Sequence, residues 1–201
     1  GQKDNFFFRA YGLAFRDLTG VITRKEEPRI IPAFEAMNYW NIGPMNGRLN
    51  VVLNGAYLDA ANSLSQSTGR ISGLLRWNGQ SIIGNGLIIE PSLNLRGDYY
   101  TYNHYRNTSS NQDYSRALGT ASIDFRWPLQ RAFKDYHLIL EPKLNLTYSS
   151  TDSLRNKILN QDSIGYDNNF NSYFGNDSIS NFDLWDEGAR ATIGVNFGAT
   201  N

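Results

Sequence analysis

The chain has 201 residues, with 19 Lys plus Arg, 19 Asp plus Glu and no Cys. The balanced charge excludes a global field that would draw the chain to nucleic acid or to an anionic membrane surface. The lack of Cys excludes disulfides and thiolate metal sites within this segment. No run approaches the roughly 18 consecutive apolar residues of a membrane-spanning helix.

Polar and apolar residues alternate in eight segments, which predicts eight strands because successive side chains of a strand point to opposite faces. In chain order, the segments cover residues 6–16, 29–40, 47–58, 68–78, 86–101, 115–127, 137–149 and 187–198. In the third segment, Leu49, Val51 and Leu53 share one face. Asn50 and Asn54 share the other.

One stretch occurs twice. The sequence Leu-Ile-Ile-Glu-Pro-Ser-Leu-Asn-Leu runs from Leu87 to Leu95, and Leu-Ile-Leu-Glu-Pro-Lys-Leu-Asn-Leu runs from Leu138 to Leu146. In the first copy the alternation lasts for roughly a dozen residues. Strands usually have about 5 to 6 residues, whereas a tilted strand needs about 9 to 11 to cross a bilayer. The length therefore favours strands that span a membrane.

The connections between the segments alternate in length. Residues 41–46, 79–85 and 128–136 are short, and residues 17–28, 59–67, 102–114 and 150–186 are longer. Outer-membrane barrels have the same asymmetry, with short periplasmic turns and longer extracellular loops. The loop of residues 150–186 is too long for a plain connection and too apolar for a disordered tail. We expect it to fold over or into another part of the protein.

Aromatic residues cluster at both ends of the predicted strands, which predicts two membrane-interface girdles. At the short-turn ends lie Tyr39, Trp40, Trp77, Trp127 and Tyr136; at the long-loop ends lie Tyr57, Tyr99, Tyr100, Tyr102 and Tyr148.

Charged and polar residues occupy one face of the long strands. An Arg or Lys that faced lipid at the bilayer midplane would cost ~2 to 4 kcal/mol, so we expect this face to line a wet lumen. The candidate lumen-facing residues are Glu90, Asn94, Arg96, Asp124, Arg126, Glu141, Lys143 and Arg190.

Two prolines, Pro91 and Pro142, fall in the middle of predicted strands, where each removes an N–H from the ladder. A local bulge or weakened pairing would accommodate them.

Asp186, Glu187 and Gly188 are expected to form a structural corner where the long loop enters the eighth strand. Arg190 follows them, between two alanines of the apolar face. By alternation its guanidinium should point into the lumen, towards a carboxylate partner.

Signals for enzyme or metal chemistry are weak. His104 lies near Ser109 and Ser110, as a hydrolase would require, but loops are generally rich in such residues and a solvated histidine is the favoured interpretation. Acidic residues of the long loop could ligate Ca²⁺, but they lack EF-hand spacing. They are Asp162, Asp167, Asp177, Asp183, Asp186 and Glu187. We predict no catalytic residue, metal or cofactor.

Several short motifs, in order along the chain, resemble the barrel of the LptD family of lipopolysaccharide-assembly outer-membrane proteins, with the alphaproteobacterial version most similar. They are Phe8-Arg-Ala-Tyr-Gly12, Arg96-Gly-Asp-Tyr99, Ser122-Ile-Asp-Phe-Arg-Trp-Pro128, Leu140-Glu-Pro142, Asn160-Gln-Asp-Ser163 and Phe182-Asp-Leu-Trp-Asp-Glu-Gly-Ala-Arg190, followed by Ala191-Thr-Ile-Gly-Val-Asn196. Three positions depart from the family pattern: Gln161 replaces Glu, Leu184 replaces Arg and Ala189 replaces Thr.

The resemblance implies an all-β fold, an antiparallel transmembrane barrel of 26 strands to which this chain, residues 1–201, would contribute about eight strands as part of a single domain. It implies a non-enzymatic translocon in the outer membrane of a Gram-negative bacterium. The implied partners are lipopolysaccharide, outer-membrane lipid, the lipoprotein LptE in the lumen, and periplasmic bridge proteins that bind an N-terminal domain. We expect a fragment, because that domain and a terminal aromatic residue are not recognisable.

Three alternatives remain open from the sequence. A generic porin-type channel would share the strand pattern but not the motif series. An outer-membrane hydrolase would centre on His104. A soluble all-β binding domain would have similar alternation.

Overall fold

The computed structural model describes residues 6–14, 29–59, 66–133, 137–161, 174 and 182–200. These residues form one antiparallel sheet of ten strands. The strands are β1 (Phe7–Ala14), β2 (Arg29–Asn41), β3 (Arg48–Asp59), β4 (Ser67–Asn78), β5 (Ser81–Ile83), β6 (Leu87–Asn103), β7 (Gln112–Arg126), β8 (Leu129–Ala132), β9 (His137–Ser149) and β10 (Gly188–Thr200). No helix in this part of the chain is long and apolar enough to cross a membrane.

The sheet is a meander in which each long strand pairs with the next one along the chain, in the order β1-β2-β3-β4-β6-β7-β9-β10. The eight strands that the alternation predicts are confirmed, with small differences at their ends. The short strands β5 and β8, which pair with β6 and β9, lie where the sequence predicted turns. At three and four residues, they are too short to show a period of two. The described sheet is open, with β1 and β10 at its edges.

The two Glu-Pro prolines lie opposite breaks in the neighbouring strand. The N–H of Gly79, between β4 and β5, donates to the carbonyl of Pro91 at 2.9 Å, and the N–H of Trp127, between β7 and β8, donates to the carbonyl of Pro142 at 3.1 Å. In an antiparallel ladder the N and O of one residue face the same neighbour. The nitrogen of each proline therefore faces the break between two strands, where its missing N–H interrupts no strand ladder. The register is the same on both sides of each break, so neither strand has a bulge there.

Burial in this sheet is the reverse of that in a soluble sheet, which packs its apolar face on a core. The polar face is buried, at Ser72, Ser92, Asn94, Arg96, Asp98, Arg116, Thr120, Ser122, Asn145 and Thr147. The apolar face is exposed, at Leu53, Ile71, Leu75, Leu93, Leu95, Leu146, Ile193, Val195 and Phe197. The sheet therefore presents its hydrocarbon outwards.

Two tryptophans at the short-turn end each donate a hydrogen bond to a backbone carbonyl. At the short-turn end, the indole N–H of Trp77 donates to the carbonyl of Ile42 and that of Trp127 donates to the carbonyl of Asn85, both at 3.2 Å. Tyr136 lies outside the described residues.

Two residues of the expected long-loop girdle prove to be elsewhere. Tyr100 and Tyr102 are fully buried, so their assignment to a membrane-facing girdle is wrong. Both have the parity of Asp98 along β6, which places their rings on the polar face; Tyr99 lies on the exposed face.

Candidate functional site

The described parts of the long loop, residues 150–161 and 182–187, fold onto the polar face at the long-loop end of the sheet. Ile158 and Trp185 of this loop are both buried. The indole N–H of Trp185 donates to the carbonyl of Ser150 at 2.8 Å, which ties the two parts of the loop together.

Four charged residues connect the loop to the sheet, and we call them the loop-anchored cluster: Arg96, Asp98, Arg116 and Asp152. Asp98 Oδ2 accepts from Arg96 Nε at 2.9 Å and from Arg116 Nε at 2.7 Å. Arg116 Nη1 reaches Asp152 Oδ2 at 2.5 Å. No side chain of the four is more than 3% exposed. The two guanidiniums and two carboxylates thus neutralise each other inside the protein.

The carbonyl oxygen of Phe182 completes the cluster. It accepts from Nη2 of Arg96 and from Nη2 of Arg116, and from the hydroxyl of Tyr100 at 3.1 Å. The phenyl ring also lies 5.3 Å from the Arg96 guanidinium carbon, within cation–π range. One loop residue therefore satisfies donors from two strands.

Asp183 makes a second link from the loop to the sheet. Its Oδ1 accepts from Arg70 Nη1 at 3.1 Å and from the Tyr100 hydroxyl at 3.2 Å. Its Oδ2 accepts from the backbone N–H of Gln161 at 2.7 Å. This buried carboxylate joins β4, β6 and both described parts of the loop.

A tyrosine cluster covers the outer end of the same face. Tyr102 is buried, with its ring centroid 5.4 Å from that of Tyr105 and 6.1 Å from that of Tyr114. The Tyr105 hydroxyl donates to the carbonyl of Lys157 in the long loop at 2.7 Å. Burial raises the pKa of Tyr105 above its usual value.

A second group of charges lies near the short turns, and we call it the short-turn cluster: Glu90, Arg126, Glu141 and Lys143. Arg126 Nε lies 2.8 Å from Glu90 Oε2, and its Nη1 lies 3.2 Å from Glu141 Oε1. Lys143 Nζ lies 3.3 Å from Glu141 Oε2. The side chains of Arg126 and Glu90 are 31% and 30% exposed. Four of the predicted polar-face residues thus meet in one partly exposed group.

The remaining predicted residues of the middle strands form separate pairs. Asn94 Oδ1 accepts from Arg76 Nε at 3.1 Å. Asp124 Oδ1 accepts from Asn145 Nδ2 at 2.8 Å. These pairs lie between the two charged clusters and join neighbouring strands across the polar face.

The corner before β10 contains Asp186, Glu187, Gly188 and Arg190. Arg190 Nη1 lies 2.8 Å from Asp186 Oδ2. Glu187 Oε1 lies 3.2 Å from Arg155 Nη1 of the loop. Gly188 has φ +88°, a conformation that L side chains rarely adopt. The chain turns there and pairs with the last residue of β9.

Comparison with known proteins identifies the family of this chain. A family model described as LptD, LPS transport system D, matches residues 1–197. The chain belongs to the LptD family. A search of curated proteins found no match.

LptD proteins belong to the outer membrane and function in lipopolysaccharide transport, so the described sheet is a section of an outer-membrane β-barrel. The family is a transport component and not a family of enzymes. The exposed apolar face and the buried polar face both agree with that placement, because a barrel presents hydrocarbon to lipid and polar groups to its interior.

The described residues that the hydrolase and Ca²⁺ hypotheses named do not form a catalytic or a metal-binding arrangement. His104 Nδ1 has no hydrogen-bond partner among the described residues, so nothing described orients it as a base. Asp183, Asp186 and Glu187 are each paired with an arginine. The part of the chain that the structure describes has no group of three or more His, Asp or Glu that could hold a metal ion. Asp162, Asp167 and Asp177 lie outside it.

Sequence reasoning missed the contacts that anchor the loop. Asp152, Phe182 and Asp183 lie in a segment without periodicity, so no pattern assigned them partners. Alternation in the sequence places the charges of Asp98 and Arg116 on the polar face. In the structure, β6 and β7 place the two residues directly opposite each other.

Proposed function

We propose that this LptD-family chain forms part of the wall of a translocon that delivers lipopolysaccharide to the outer leaflet. The polar face lines a lumen through which the saccharide passes. The apolar face contacts membrane lipid, into which the acyl chains move. The chemistry is binding and passage, without bond breaking.

The observation that supports this proposal is the reversed burial of the sheet. On β10, Ile193, Val195 and Phe197 are largely exposed, and burying each in lipid would gain about 1.5 to 3 kcal/mol. Across the sheet, charged side chains on the other face find partners and would be costly in hydrocarbon. Water on the polar face and lipid on the apolar face satisfy both requirements.

The proposal assigns an interior position to all eight predicted residues: Glu90, Asn94, Arg96, Asp124, Arg126, Glu141, Lys143 and Arg190. The short turns would face the periplasm and the long loops the exterior, as in other barrels. The loop-anchored cluster would then hold the long loop inside the outer mouth. Further strands outside this chain would close the barrel, which the family resemblance puts at 26 strands.

Family membership also supports two partner proposals. The lipoprotein LptE would occupy the lumen, and periplasmic bridge proteins would bring lipopolysaccharide to an N-terminal domain. The short-turn cluster, with side chains that are still partly exposed, is one described part of the polar face open to a lumenal partner.

Site-specific photo-crosslinking in the full-length protein tests the proposal. The crosslinking residue replaces Asn196 on the polar face of β10 or, as the matched control, its neighbour Phe197 on the apolar face. We expect a lipopolysaccharide adduct at position 196 that disappears when new lipopolysaccharide synthesis stops. Position 197 should give no adduct that depends on synthesis in this way.

Two outcomes would count against the proposal. No adduct at position 196 in a correctly assembled barrel would favour a generic porin-type channel. Equal, synthesis-dependent adducts at 196 and 197 would contradict the division of the sheet into a transport face and a lipid face.

A further inference from the structure

A cavity on the polar face, under the edge of the long loop, has the chemistry of a saccharide site. Its volume is about 500 Å³, within the range of small-molecule pockets, ~300 to 1,000 Å³. Strands β1 to β4 and β6 supply its walls, and Gln161, Phe182 and Asp183 of the loop close one side. It lies at the long-loop end of the sheet.

The charges that line the cavity cancel in pairs. Arg9 Nη2 lies 2.7 Å from Glu35 Oε2, and Arg70 Nη1 lies 3.1 Å from Asp183 Oδ1. A phosphate group would have to displace a carboxylate to form the bidentate contact that arginine makes with anions. A neutral hydroxyl could instead donate to a carboxylate or accept from a guanidinium without breaking either pair.

The apolar part of the lining suits the carbon faces of a sugar ring. Tyr11 lines the cavity and is 45% exposed. Its ring offers a flat, amphipathic surface of the kind that binding sites use. Ile30, Ala56 and Leu58 add aliphatic surface beside it.

A buried hydroxyl at the cavity wall adds an independent indication of a ligand. Thr68 is 5% exposed, and its Oγ1 has no hydrogen-bond partner among the described residues. Buried polar groups are nearly always hydrogen-bonded. Because Thr68 lines the cavity, a hydroxyl of a bound ligand would supply the partner.

From this lining we infer that the cavity is a subsite for neutral sugar residues of the lipopolysaccharide saccharide, and that it discriminates against phosphorylated sugars. The inference rests on the proposed function and deepens it. Transport would then proceed with the neutral outer sugars held briefly at the outer mouth while the phosphorylated inner part remains elsewhere in the lumen.

Crosslinking at position 11 tests the inference directly. In the full-length protein, a photo-crosslinking residue replaces Tyr11, and adducts are compared between cells with complete lipopolysaccharide and cells whose lipopolysaccharide ends at the phosphorylated inner sugars. We expect the adduct at position 11 to fall by at least fivefold with the truncated form. Position 196 serves as the reference and should give an adduct with both forms. If Tyr11 cannot be replaced without loss of assembly, Leu58 in the same cavity takes the crosslinker.

A pair of matched variants tests the buried hydroxyl. Thr68→Val, in the same crosslinking background, should reduce the adduct roughly fivefold through loss of one hydrogen bond. Ser72→Ala is the control: Ser72 is also buried on β4 with a hydroxyl that has no described partner, but it does not line the cavity. It should leave the adduct unchanged.

The outcomes separate this inference from the proposed function. An adduct at position 196 with none in the cavity would overturn the subsite and leave the function intact. Equal cavity adducts with complete and truncated lipopolysaccharide would overturn the selection of neutral sugars. Equal effects of Thr68→Val and Ser72→Ala would overturn the role of the hydroxyl. Adducts at neither position would overturn the proposed function itself.

Discussion

The loop-anchored cluster and the short-turn cluster lie on the same polar face, on some of the same strands, and both alternate acidic with basic side chains. They differ in what covers them. Residues of the long loop enclose the first cluster, whose side chains are at most 3% exposed. In the second, Arg126 and Glu90 are 31% and 30% exposed.

The difference shows how the same residue types acquire different roles. Water screens the short-turn cluster, so each pair contributes little to stability and its side chains can change partners. The loop-anchored cluster is buried and neutral as a whole, so the loss of any one member leaves a net charge uncompensated inside the protein. We therefore expect the loop-anchored cluster to hold the structure together and the short-turn cluster to remain available to what passes through the lumen.

The largest expected effect comes from Arg116→Met. This change leaves the buried carboxylate of Asp152 without its arginine, while Asp98 keeps Arg96. Breaking a buried pair in this way costs about 3 to 5 kcal/mol. Denaturant unfolding of the purified full-length protein in detergent, followed by tryptophan fluorescence, should show a loss of that order. An unchanged midpoint would mean that the cluster is not closed to water.

Asp183→Asn should have the next largest effect, and it should act locally. The substitution keeps the shape but removes the charge that pairs with Arg70 and accepts from Tyr100. We expect the long loop to detach more often, at a cost of about 2 kcal/mol. Limited proteolysis of intact cells should cut the loop faster, while barrel assembly is retained. Equal cutting rates in variant and parent would show that Asp183 does not hold the loop.

Arg190→Met should have an intermediate effect. Its partner Asp186 is partly exposed, so we expect a stability loss of about 1 kcal/mol. The amount of assembled protein in the membrane should fall, while transport by each assembled molecule stays near the parent level. A variant that assembles normally yet fails to deliver lipopolysaccharide would make Arg190 a substrate-contacting residue.

The smallest effect on stability is expected from Arg126→Met, which serves as the counterpart of Arg116→Met. Its pairs with Glu90 and Glu141 are screened, so the loss should stay below about 1 kcal/mol. Raising the salt concentration should shrink the difference further. If Arg126→Met destabilised the protein as much as Arg116→Met, the contrast between the two clusters would fail.

The long strands from β3 to β10 could be predicted from the sequence because each alternates for several periods of two. β1 and β2 alternate less cleanly, with three consecutive phenylalanines from Phe6 to Phe8. β5 and β8 could not be predicted, because three or four residues do not establish a period and each adjoins a turn. The tyrosines of β6 illustrate an avoidable error: position along the strand suggested a girdle for Tyr100 and Tyr102, but parity with Asp98 places them inside.

The candidate site was predictable only in part. Alternation indicated that Glu90, Arg126 and Glu141 share a face, and the sheet register brings them together. The contacts of the loop with the sheet could not be predicted from the sequence, because Asp152 and Asp183 are far from Arg116 and Arg70 in the chain. Only the folding of the loop onto the sheet brings these charges together. The cavity next to Thr68 depends on the same event.

Cysteine labelling at two adjacent positions of β10 tests the central claim most directly. Thr192 lies on the polar face and Ile193 on the exposed apolar face. In the full-length protein in membranes, a membrane-impermeant thiol reagent should label Thr192→Cys, whereas Ile193→Cys should react only with a lipid-soluble probe. Equal labelling of both positions by the impermeant reagent, or the reverse preference, would contradict a sheet with water on its polar face and lipid on its apolar face.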